Sequence, residues 1–166
     1  MLNAHEIFGF MSPALAQEII NDLHTSEKAI YRASLDGVAQ AKKVRTIFLE
    51  RKTRGEQHKD VIEALCRPSL NLVALNVLQA WLLKCQTVLL AEFLDALGIA
   101  HQKGLVDNIP ETMDDAKLKA AVEGLLAKHP HEKVAVYLRA FNDLNETNWP
   151  NLGALLDSDA RLQLGA

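Results

Sequence analysis

Two groups of residues in this chain are of types from which a binding or catalytic centre could be built. The first is a basic stretch holding Lys42, Arg45 and Lys52, with Lys43, Arg51, Arg54, His58 and Lys59 among them. On a continuous helix, Lys42, Arg45 and Lys52 fall on the side of Tyr31, Val38 and Leu49. That side is partly apolar, and an arginine fork placed there suits a carboxylate or a phosphate. Internal pairing serves the same chemistry: Arg45 can meet an Asp or Glu of the chain while the lysines lay their stems on apolar surface and keep their heads wet. Aromatic residues are sparse around these cations, with only Tyr31 and Phe48 near, so a base-stacking surface is not expected.

The second group is His101 and Asp107, followed by Glu111, Asp114 and Asp115. Imidazole and carboxylate can ligate a metal or pass a proton between them. A metal centre needs three or four convergent ligands, and the spacing here supplies at most two. The acidic residues beside Thr112 already suit the positive end of a helix dipole. No metal or cofactor is therefore expected. There is no H-E-x-x-H, no glycine-rich phosphate loop and no G-x-S-x-G, and the Glu-x-x-His pairs of a di-iron bundle are missing.

The elements that would position these residues are helices. Among 166 residues there are 27 Leu and 22 Ala against 10 Val and 8 Ile, a balance that favours helix over strand. The five prolines fall where helices start or stop. Ser12-Pro13 reads as a cap and first helical position, opening a helix to about Leu23. A helix from Ser26 to about Lys52 follows, with Ile30, Ser34, Gly37, Ala41, Val44 and Phe48 as its inner stripe. Glu56 to Cys66 is a shorter amphipathic helix ended by Arg67-Pro68. From Ser69 to Gly98 the chain is apolar all round, without proline or internal glycine, which predicts a long buried central helix, about residues 69–98, with a break near Gln86 as the variant. Residues 99–112 form a connection. Asp114 to Lys128 and a second helix through Leu144 form a helical hairpin, and Trp149-Pro150 opens a last short helix. The expected architecture is a single all-α domain over residues 1–166. It is a compact array of six to eight helices: the N-terminal helices and hub to residue 98, the connection, and the hairpin and tail from about 113.

Net charge is −3, which gives no support to nucleic-acid binding. The charge is uneven: residues 27–67 carry a net +4 and residues 92–166 a net −5, a polarity that could steer an acidic ligand to the first half or dock two copies head to tail. Asn71, Asn76, Gln79, Lys84 and Gln86 interrupt the longest apolar window, so no membrane span is expected. Met1 to Phe10 lacks the basic region and apolar core of a signal peptide. Cys66 and Cys85 sit among apolar residues without metal-binding spacing, which reads as two buried thiols in a reducing, cytoplasmic setting.

Abundant helix surface without a catalytic motif predicts a helical protein-interaction or self-associating module. The alternative is binding of a small anion or phosphate, with or without turnover, through Arg45, Lys42 and Lys52 or through His101 and Asp107.

Overall fold

A computed structural model of the chain describes residues 1–146 and 148–164. Among the described residues there are ten α-helices and no strand, only an isolated bridge between Gln102 and Leu105. The protein is an all-α array, as the composition requires. It packs as two compact units, Leu2–Trp81 and Leu82–Ala166, the latter together with Met1.

The first unit holds α1 (Ala4–Phe10), α2 (Pro13–Ser26), α3 (Lys28–Lys42), α4 (Thr46–Glu50), α5 (Arg54–Leu65) and α6 (Asn71–Ala80). Ser12 caps α2 through its hydroxyl, which accepts from the Leu15 N–H with Pro13 at the first helical position. Thr53 and Glu56 form a capping box on α5. Helices α2, α5 and α6 pack on α3. Leu15, Ile19, Ile20 and Leu23 of α2, Leu35 and Val38 of α3, Val61 and Leu65 of α5, and Val77 and Leu78 of α6 are buried. Gly37 lets α3 and α6 approach closely, since a Cβ there would stand 2.9 Å from Cγ2 of Val73.

The helix expected over residues 26–52 is divided. Lys43 adopts the left-handed conformation (φ 57°, ψ 39°) and its N–H bonds back to the Ala39 and Gln40 carbonyls, closing α3. The chain then turns into the five-residue α4. Side chains hold the fold-back: the Thr46 hydroxyl donates to Asp36 at 2.6 Å, and Arg32 pairs with Glu50. Val44 and Phe48, expected on an inner stripe, are instead open to solvent, because the turn rotates α4 relative to α3.

The span 69–98 is likewise not one helix. After α6, a π-helical stretch, Trp81–Cys85, carries the chain out of the first unit, Gln86 leaves helical geometry, and α7 (Thr87–Leu97) follows. Gly98 ends α7 in the left-handed conformation (φ 72°). The variant break near 86 is the observed one. The all-round apolarity has a simple reading: each half buries its own face, while Leu72, Leu83 and Val88 remain exposed. These two divisions raise the helix number from the expected six to eight to ten.

The second unit is built from α7, α8 (Asp115–Lys128), α9 (His131–Asp143), α10 (Pro150–Ser158) and a 3-10 turn, Ala160–Leu162. Asp114 caps α8 by accepting from the Lys117 N–H at 3.0 Å. Helices α7 and α8 pack side by side, α8 touches α9, and α9 holds α10 and the last turn. His129 Nε2 lies 2.9 Å from the Glu92 carboxylate, tying the end of α8 to α7. Asn142, fully buried on α9, bonds both backbone groups of Trp149: its Oδ1 accepts from the N–H at 2.8 Å and its Nδ2 donates to the carbonyl at 3.2 Å. The Trp149 indole N–H donates to the Pro110 carbonyl at 2.8 Å, so the connection is fastened to the start of α10.

Candidate functional site

The basic stretch separates into engaged and unengaged cations. Lys42 and Lys52 converge on one carboxylate, Asp60 of α5, at 3.6 and 2.5 Å. The hydrogen bond from Lys52 holds the Asp60 carboxyl below its ordinary range and raises the lysine in return. Arg54 donates to Asn21 and Thr25 of α2. Binding of an outside anion at Lys42 and Lys52 would therefore have to displace Asp60.

Arg45 does not join them. It is the exposed N-terminal cap residue of α4, and it shares its surroundings with an apolar group. Val44 is 42% exposed, Ile47 47% and Phe48 54%, while Leu49 between them and α3 is buried. Arg45 and Arg51 stand three residues before and after Phe48, and the Arg51 guanidinium lies 6.0 Å from the Phe48 ring centre. Lys43 completes the group at the left-handed corner. Lys43, Arg45 and Arg51 make no ion pair among the described residues, unlike Arg32, Lys42 and Lys52 on the same segment. The α3–α4 corner thus presents three apolar side chains beside three uncompensated cations.

In the second unit, His101 and Asp107 border the same concavity of about 410 Å³, with Gln102 and Leu105. They do not form a dyad. His101 Nε2 meets Asp95 Oδ1 at 2.7 Å, and His101 Nδ1 accepts from the Gly104 N–H at 3.0 Å. Both ring nitrogens are used to fasten a tight turn, in which Lys103 (φ 51°) and Gly104 (φ 86°) reverse the chain between Gln102 and Leu105. Asp107 is exposed and also borders a larger concavity of about 550 Å³. The lining of that hollow is mixed: Leu97, Ile99 and Met113 are apolar, Asn108 and Thr112 polar, and Asp107, Asp114 and Lys117 carry the charges. No group of three or more His, Cys, Asp or Glu among the described residues could hold a metal ion.

A polar cluster that the sequence reading passed over lies between α2, α3 and α5. His58, 1% exposed, receives the Gln17 amide on Nδ1 at 2.6 Å, and its Nε2 meets His24 Nδ1 at 3.0 Å. Gln17 donates, so His58 Nδ1 accepts, Nε2 carries the proton and donates to His24. The His24 ring stacks on Tyr31 at 4.2 Å between centres and 4° between planes, and the Tyr31 hydroxyl donates to Gln57. Burial, reinforced by His24 and Arg54, pushes the His58 imidazole down to about 4; burial and Arg54 lower His24 as well. Burial pushes the Tyr31 phenol up to about 12. The sequence signal for this cluster is slight, Gln17 and His24 standing seven residues apart along one side of α2; their partners come from helices distant in sequence.

No single helix among the described residues is long and apolar enough to cross a membrane. The chain matches no family model, no curated protein and no solved structure.

Proposed function

We propose that this protein is a helical docking module that engages a protein partner, or a second copy of itself, through the α3–α4 corner. One observation carries the reading: Val44, Ile47 and Phe48 lie open to solvent beside Lys43, Arg45 and Arg51, three cations without a carboxylate partner among the described residues. Exposed apolar side chains grouped within a polar rim are the ordinary composition of an interface, and aromatic residues and arginine are its enriched members. Uncompensated charge around them selects a partner of opposite sign and speeds encounter. Residence in the cytoplasm belongs to the same proposal and is supported by the two cysteines, Cys66 and Cys85, being present as thiols rather than as a disulfide.

The test uses a fluorescently labelled acidic amphipathic helical peptide, followed by anisotropy, alongside light scattering of the chain alone. Binding or self-association is expected, and Phe48→Ser or Arg45→Glu weakens it by about 2 kcal/mol, the cost of losing a central interface contact. Absence of both activities, or activity indifferent to both substitutions, would remove the corner from consideration.

A further inference from the structure

We infer that the occupant of the α3–α4 corner is the acidic concavity beside α7 and α8 of a second copy of this chain. This inference rests on the docking reading above and names its partner. Both halves of the contact are present in the structure. The corner offers Ile47 and Phe48, about half exposed, with Arg45 and Arg51 on either side of the ring. The concavity, about 550 Å³, is roomy enough to receive two such side chains, and Leu97, Ile99 and Met113 supply the apolar part of a lining shared with Asn108 and Thr112. Its rim carries the opposite charge: Asp107 is exposed and makes no ion pair among the described residues, Glu111 stands beside the lining residue Pro110, and Asp114 spends one carboxylate oxygen on capping α8. Lys117 is the one cation on that wall among the described residues. An apolar insertion flanked by charge pairs of fixed sign sets both the register and the direction of docking.

The two surfaces are different, so the contact is head to tail. Copies joined this way close into a ring or extend as a chain, and an open assembly keeps one free corner at one end and one free concavity at the other until closure. Polarity of this kind distinguishes the proposal from a symmetric dimer built on the corner alone. In a symmetric dimer, a copy with a damaged corner has nothing to offer a sound one. In the head-to-tail contact, it still has its concavity.

Sedimentation velocity on the full chain tests this with two variants at exposed positions, Arg45→Glu/Arg51→Glu at the corner and Asp107→Lys/Glu111→Lys at the concavity, each checked for native helicity by circular dichroism. Wild type is expected to associate with rising concentration, and each variant alone to weaken association by about tenfold or more. Mixed in equal amounts, the two variants are expected to recover association, since the sound corner of one meets the sound concavity of the other and the two reversed surfaces are themselves opposite in charge. Wild type that stays monomeric, association that ignores the concavity variant, or a mixture that remains monomeric would each overturn the inference. If the acidic peptide still binds the monomeric wild type and loses affinity on Phe48→Ser, the corner remains a docking surface and only its occupant was misassigned. If the peptide fails as well, both readings fall.

Discussion

At His58 both ring nitrogens are committed, one to the Gln17 amide and one to His24. A second proton on His58 would set a donor against the Gln17 donor, and a proton on His24 Nδ1 would set one against the His58 N–H. The cluster therefore persists only while both rings are neutral. The unfolded chain binds the proton at its ordinary value of 6.5, whereas the folded chain holds out to about 4. Stability is then unaffected by His58 above pH 6.5, falls as pH drops from 6.5 to 4, and levels off below. The loss across that window is expected to be on the order of 2–3 kcal/mol. Urea unfolding of wild type and His58→Gln at pH 7 and at pH 4.5 checks this. The variant should lose less stability than wild type on acidification, because the paired carboxylates titrate alike in both proteins. An equal loss in the two would mean that the ring does not govern the acid response.

Helix boundaries show where local chemistry is decisive and where it is not. Ser12-Pro13 and Gly98 are legible in the sequence, because each acts through its own few residues. The turn at Lys43 is not. Lysine has no preference for the left-handed conformation, and the bonds that stabilise the fold-back, Thr46 to Asp36 and Arg32 to Glu50, form only after the chain has turned. That turn places Val44 and Phe48 on the surface rather than in the core. Lys42, Arg45 and Lys52 share a face only on a continuous helix; with the chain divided at Lys43, the two lysines meet at Asp60 and Arg45 lies apart. Asn142 belongs to the same scale. Its amide replaces a second strand or helix as partner for the Trp149 backbone, and so fixes where α10 begins. Asn142→Ala should cost about 2–3 kcal/mol, since a buried N–H and a buried carbonyl lose their partner together. Thermal or urea unfolding gives the value. A loss under half a kilocalorie would mean that water replaces the amide without penalty.

Over the whole molecule, charge is the feature that sequence and structure describe in the same terms. The basic residues between 27 and 67 outnumber the acidic ones there, and the balance reverses after residue 92. Within the basic segment, Arg32, Lys42 and Lys52 are neutralised locally by Asp36, Glu50 and Asp60, whereas Lys43, Arg45 and Arg51 set a positive local field around the exposed Phe48. Such a field acts mainly on the rate of encounter, whereas the apolar side chains act on residence time. The two contributions should separate experimentally. Raising ionic strength from low to physiological values shortens the reach of surface charges to about 8 Å. It is expected to slow association with the acidic peptide by about tenfold while leaving dissociation nearly unchanged. Phe48→Ser should do the reverse, speeding dissociation with little effect on association at any salt. Stopped-flow measurement of both rate constants decides the matter: salt acting chiefly on dissociation would place the cations inside the contact rather than around it, and would require the apolar side chains to be its rim.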